Sequence, residues 1–121
     1  MTTETTTNKT YTIDATGKRL GKVATEAATV LMCKNDPSFA KNVIADVQVT
    51  ITNVSKLDVP EKREGEIYQS YSGFPGGRKT ETLIHLAERR GYAEVVQRTI
   101  AGMLPGNKHK KRLLTKLVIT E

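Results

Sequence analysis

The spacing of apolar and polar positions changes several times along the chain, and each change predicts an element. Tyr11-Thr12-Ile13-Asp14 alternates over a short β-prone stretch, which predicts a first strand. Over residues 20–32 the apolar positions Leu20, Val23, Ala24, Ala27, Ala28 and Leu31 recur at intervals of three and four. That spacing places them on one helix face, with Lys22, Thr25, Glu26 and Thr29 outside. Asn35-Asp36-Pro37-Ser38 reads as a turn. Residues 43–54 read as a strand, with Val47, Val49 and Ile51 alternating with Gln48, Thr50 and Thr52.

The charged stretch 60–66 reads as a loop, and 67–71 as a short strand before the glycine-rich Ser72-Gly73-Phe74-Pro75-Gly76-Gly77. Helical spacing returns over 82–90, with Leu83, Leu86 and Ala87 inward. It returns again over 93–104, where Val95, Val96, Thr99, Ile100 and Met103 share a face. Pro105-Gly106 ends that helix, Asn107 is placed to cap a last basic turn running to about residue 116, and Leu117-Val118-Ile119 forms a final strand. Residues 1–10 are polar and without periodicity, so they read as a disordered tail ahead of a single domain over 11–121. Strand, helix, strand, helices and strand is the order of an α/β domain with a largely parallel sheet, and right-handed crossovers would put helices on both of its faces.

A chain of 121 residues supports one modest core. Its 19 Lys and Arg against 13 Asp and Glu give a net charge of +6 and favour a polyanionic partner. The excess is uneven, because residues 1–60 carry a net +1 and residues 61–121 a net +5. No apolar run approaches the roughly 20 residues that cross a bilayer. The Thr-rich N-terminus lacks the apolar stretch of a secretory signal, so the expected location is cytoplasmic and no membrane partner is expected. Cys33 is the only cysteine, which excludes an internal disulfide and a Cys-rich metal site; it reads as a small, semi-buried residue near a helix end. With no Trp and 5% aromatic residues, the chain is unlike domains that stack successive bases on aromatic platforms.

Three segments carry candidate chemistry. Gly17-Lys18-Arg19-Leu20-Gly21-Lys22 follows the first strand and invites comparison with a phosphate loop. It has three residues between its glycines where that loop needs four, and Val23 where it needs Ser or Thr. A tight strand-to-helix turn fits better, with Lys18, Arg19, Lys22 and amides at the helix start able to hold an RNA phosphate. In Gly73-Phe74-Pro75-Gly76-Gly77-Arg78-Lys79, bare backbone adjoins two cations, and Phe74 has the chemistry to stack on an exposed base; a solvated surface loop is the competing reading. Lys108-His109-Lys110-Lys111-Arg112 is the densest basic run, and a polyanion would relieve its mutual repulsion. Catalysis finds little support. His85 and His109 lack metal-ligand spacing, Asp14 and Asp46 sit at strand boundaries where turns are common, and no Ser or Cys occupies a nucleophile elbow. No enzyme activity, cofactor, metal or small-molecule substrate is expected.

Several segments together resemble the bacterial-type large-subunit ribosomal protein family called L thirteen. They are Ile13-Asp14-Ala15 with Leu20-Gly21-Lys22-Val23-Ala24-Thr25, Val49-Thr50-Ile51-Thr52-Asn53-Val54-Ser55-Lys56, and Tyr68 with Ser72 to Lys79. Gly102-Met103-Leu104-Pro105-Gly106-Asn107 and Leu114-Thr115-Lys116-Leu117 complete the set. The resemblance implies a three-layer α/β/α fold around a four-stranded, mostly parallel sheet. It implies a structural protein that binds large-subunit ribosomal RNA early in assembly among neighbouring ribosomal proteins, with Arg78, Lys79 and the helix near Asn107 facing RNA. The expected RNA-binding set is thus Lys18, Arg19, Lys22, Gly73, Phe74, Gly76, Gly77, Arg78, Lys79, Asn107, Lys108, His109, Lys110, Lys111 and Arg112. The chain departs from the family in having Tyr11 where a Trp is common nearby, Tyr71 for His and Cys33 for Gly. It stops at Glu121 without the familiar C-terminal stretch rich in Gly, His and Pro, which implies a trimmed contact. A free-standing RNA-binding regulator on the same scaffold and a nucleotide-dependent enzyme using the 17–22 turn are the alternatives.

Overall fold

A computed structural model describes residues 9–32, 34 and 47–121. The expectations for Cys33, Asp46, the 35–38 turn, the start of the second strand and residues 1–8 of the N-terminal tail lie outside the described residues; Lys9 and Thr10, expected in that tail, instead begin the first strand, where they pair with Val47 and Gln48. The elements run β1 (Lys9–Asp14), α1 (Leu20–Met32), β2 (Val47–Thr52), a 3-10 turn (Val54–Lys56), α2 (Glu61–Glu64), β3 (Ile67–Tyr71) and β4 (Arg78–Thr82). They continue with α3 (Leu83–Arg90), α4 (Tyr92–Met103), α5 (Lys110–Thr115) and β5 (Leu117–Ile119).

The chain is a mixed α/β domain. Strands β1, β2 and β5 form a parallel sheet in that order, with Ile13 opposite Ile51 and Ile51 opposite Ile119. The expected single four-stranded sheet is corrected here: the described residues form a three-stranded parallel sheet and a separate antiparallel pair, β3–β4. Strand β3 has no buried row with which to join the core sheet, since only Tyr68 is half-buried, and it pairs with the segment that follows it. Residues 72–77 suffice for a hairpin, whereas a parallel crossover needs about a dozen or more residues.

Alternation along β2 buries Val47, Val49 and Ile51 and leaves Gln48 exposed. The buried row meets Val23, Ala24, Ala27, Ala28 and Leu31 of α1, and Val96 and Ile100 of α4 close over the same cluster. The run of alanines lets α1 approach closely, and every apolar position that its spacing marked inward beyond Leu20 is buried. Leu113 anchors α5 to this core. A second, smaller cluster of Leu83, Leu86 and Val95 ties α3 to α4, with Tyr68 and Val59 packed against it.

Two local differences have simple causes. Strand β2 stops at Thr52 because Asn53 turns left-handed (φ 58°) into the 3-10 turn. Asn107 does not cap α5 directly. Its Oδ1 accepts from the His109 amide at 3.1 Å, closing a turn that delays the helix to Lys110.

Ile100 is fully buried at the junction of α4 with the sheet-covering cluster. Ile100→Ala is expected to cost about 2–5 kcal/mol through lost burial and residual cavity. Urea unfolding checks this: the midpoint falls while the slope stays constant.

Candidate nucleic-acid interface

The three cationic segments sit in different settings. At the β1–α1 turn, Asp14 Oδ1 accepts from the Thr16 amide at 3.0 Å, the Thr16 hydroxyl at 2.7 Å and Asn53 Nδ2 at 3.2 Å. These donors, the Thr16 amide foremost, lower the Asp14 pKa from 3.8 to about 2. Asp14 therefore ties the end of β1 to the residue that follows β2. The Gly17 amide donates to Lys56 O at 3.0 Å and the Asp58 amide to Lys18 O at 3.0 Å, stitching the turn to the chain after the 3-10 turn. Two of its three cations are engaged by carboxylates: Lys18 Nζ lies 3.6 Å from Glu26 and Arg19 Nε 3.0 Å from Asp58. Lys22 points to solvent.

The glycine-rich segment is the tip of a projecting hairpin. Phe74-Pro75-Gly76-Gly77 has the residues of a type II turn. Gly76 has a φ of 75°, and the Gly77 amide closes the turn on the Phe74 carbonyl at 3.0 Å. A Cβ at Gly77 would collide with Ser72 Oγ and stand 3.0 Å from the Phe74 carbonyl oxygen, so the tip is tightly closed. Phe74 is 74% exposed, Tyr71 67% and Ile67 62%. Arg78 and Lys79 are exposed and have no carboxylate partner among the described residues. No Asp or Glu occurs between Glu66 and Glu81. At about 3.3 Å per residue, the five-residue strands carry the tip roughly 16 Å from the hairpin root.

Strand β4 was missed by the sequence reading because Arg-Lys-Thr-Glu-Thr has no apolar alternation; only pairing with β3 defines it. Its far end is fixed by Glu81, which receives Arg89 Nε at 3.0 Å and Nη2 at 2.6 Å, with His85 Nδ1 at 3.3 Å. The Arg89 hydrogen bonds chiefly lower the Glu81 pKa from 4.5 to about 2.

On α5, Leu113 is buried while Lys108, Lys111 and Arg112 are exposed; His109 and Lys110 are half-buried. The His109 Nδ1 atom is buried with no hydrogen-bond partner among the described residues, so His109 belongs partly to the packing of this turn. No Asp or Glu occurs between Glu94 and Glu121, and the 108–112 cations form no ion pair among the described residues.

One constellation was not legible in sequence. Arg19 and Lys22 share a cleft of about 700 Å3 with Arg63 and Tyr68, alongside Leu20, Val59, Leu83 and Met103. Its walls come from the start of α1, the 58–68 segment, the start of α3 and the end of α4, so no local motif could reveal it. Among the described residues no group of three or more His, Cys, Asp or Glu is placed to hold a metal ion, and no helix is long and apolar enough to cross a membrane.

Together these features define a basic α/β protein with cations, unpaired among the described residues, on elements that project from its core. The family model for Ribosomal protein L13 matches residues 8–121, and this chain belongs to that family. It is 42% identical over 117 residues to "Large ribosomal subunit protein uL13" of Synechocystis sp., covering 93% of this chain and 74% of the relative. The protein of that name from Trichormus variabilis is 39% identical over 110 residues, covering 90% and 72%. That from Rippkaea orientalis is 38% identical over 117 residues, covering 96% and 77%.

Two outcomes follow from this geometry. Gly76→Val puts a β-branched side chain at a φ of 75° and should open the tip, weakening RNA binding while the thermal midpoint of the domain barely moves. Nitrocellulose-filter binding and a thermal melt separate the two effects. For Asp14, the folded pKa lies below the unfolded value, so its contribution is complete above about pH 4 and is lost as pH falls from 3.8 towards about 2. The stability gap between wild type and Asp14→Asn should close over that window in pH-dependent urea unfolding.

Proposed function

We propose that this chain is a structural constituent of the large ribosomal subunit. It binds large-subunit ribosomal RNA through phosphate and shape contacts, supports subunit assembly and translation, and catalyses no reaction. It works in the cytoplasmic ribosome, among neighbouring large-subunit proteins. The reading rests on family membership together with one observation: the β3–β4 hairpin is exposed along most of both strands and carries its cations unpaired.

A two-stranded hairpin is marginal alone in water. This one exposes Ile67, Tyr71 and Phe74 beside Arg78 and Lys79, a combination that suits a partner with phosphates and flat aromatic faces. An acid-free tip argues for RNA over a basic protein surface. The same reasoning extends to α5, where Leu113 holds the helix in place and Lys111 and Arg112 face outward. Gly73, Gly76 and Gly77 act by shaping the tip and letting backbone approach the RNA; Lys108, His109 and Asn107 form the entry to α5. Lys18 and Arg19 are the weaker members of the set, because each has a carboxylate neighbour. The three-layer arrangement of the family belongs to this reading too.

Each phosphate contact contributes about 0.7–0.9 to the slope of log K against log salt. Arg78→Gln with Lys79→Gln should lower the slope for large-subunit RNA by about 1.4–1.8, and Lys110→Gln, Lys111→Gln and Arg112→Gln together by about 2.1–2.7. Lys18→Gln should change it far less. Recovery of the wild-type protein mainly outside ribosomes at moderate salt would contradict the proposal.

A further inference from the structure

We propose that the cleft between the start of α1, the root of the hairpin and the end of α4 receives a single unpaired nucleotide of the RNA, base inward and phosphate on the rim. This rests on the RNA-binding reading above and assigns a site to surface that none of the three cationic segments identifies alone. The cleft volume of about 700 Å3 falls in the range of sites that enclose small ligands, about 300–1,000 Å3. Its deeper lining is buried or half-buried: Leu20, Val59, Tyr68, Leu83 and Thr99. Its charged groups, Arg19, Lys22, Asp58, Arg63 and Glu66, are all exposed and so stand at the mouth.

This division matches the two ends of a nucleotide. A base offers flat faces to aliphatic side chains and to the Tyr68 ring, as in other single-stranded sites. A phosphate needs cations that are not already neutralised. Arg19 holds Asp58 at 3.0 Å, which leaves Lys22 and Arg63 without ion pairs among the described residues. Nothing lies within 4 Å of where a Cβ on Gly21 would stand, so the first turn of α1 leaves room for a backbone to pass. The Glu66 carboxylate, which has no ion pair among the described residues, disfavours a second phosphate at the mouth and so limits the occupant to one nucleotide. An unpaired residue is favoured because extracting a paired base forfeits its stacking and pairing.

The test uses large subunits assembled with the wild-type chain or with Lys22→Gln and Arg63→Gln together, probed at each nucleotide by 2′-hydroxyl acylation. The two side chains are exposed, so the free variant should melt within about 2 °C of wild type. In wild-type particles one unpaired nucleotide should be protected, and the variant should restore its reactivity by about tenfold while protections from the hairpin and α5 persist. Unchanged reactivity in the variant overturns the proposal. So does a diazirine analogue of methionine at position 103 that crosslinks to protein instead of RNA, since that places a neighbouring side chain in the cleft. Loss of every protection, wild type included, would sink the broader RNA-binding reading instead.

Discussion

Burial of the Val47–Val49–Ile51 row under α1 and α4 is the interaction on which the rest depends. A chain of this size builds one main core, which joins the parallel strands to two helices, with the smaller Leu83–Leu86–Val95 cluster beside it. Register follows from it, because a slip of one residue in β2 would turn Gln48, Thr50 and Thr52 inward. The alanines of α1 set how near the helix lies to the sheet, and the Asp14 hydrogen bonds then hold the end of β1 to the residue that follows β2, at the turn into α1. What cannot join that core is left outside as the hairpin and the basic face of α5.

The distribution of ion pairs sorts the cations by role. Around the core, charges are matched: Lys18 with Glu26, Arg19 with Asp58, Arg89 with Glu81, Arg98 with Glu94. Exposed pairs of this kind add little stability each, but they neutralise local charge and fix loop positions. On the projecting elements the acids are absent over long stretches, so Arg78, Lys79 and the 108–112 run keep their field available to a polyanion. The net charge of +6 thus has a spatial meaning that its value does not convey. Under the proposed reading, the large-subunit ribosomal RNA is the polyanion that this field meets.

The parts legible in sequence were those whose apolar spacing is set by the core. Helix α1 matches its expected span of 20–32, and α3, α4 and β5 lie within a residue of theirs, because each presents buried or, in β5, half-buried side chains at the spacing of its element. The parts missed have little or no buried face. Strand β4 is polar throughout, and α2 is one exposed turn of Glu61–Glu64. The four-stranded sheet came from resemblance, whereas β3, without a buried row, pairs with the segment that follows it. For the site, the glycine-rich tip and the α5 run were readable as local motifs. The engagement of Lys18 and Arg19 by Glu26 and Asp58, and the cleft that gathers Arg63 and Tyr68, arise from contacts between distant segments and leave no local trace.

The central claim is that the hairpin tip and α5 lie against ribosomal RNA. Ultraviolet crosslinking of purified large subunits, with crosslinked peptides sequenced and the attached nucleotides mapped, tests it most directly. RNA adducts should concentrate on the 73–79 and 107–112 peptides and be sparse on α3 and the buried faces of α1 and α4. Subunits that contain the chain yet yield no RNA adduct on either peptide, or that place both peptides against protein alone, would contradict the account.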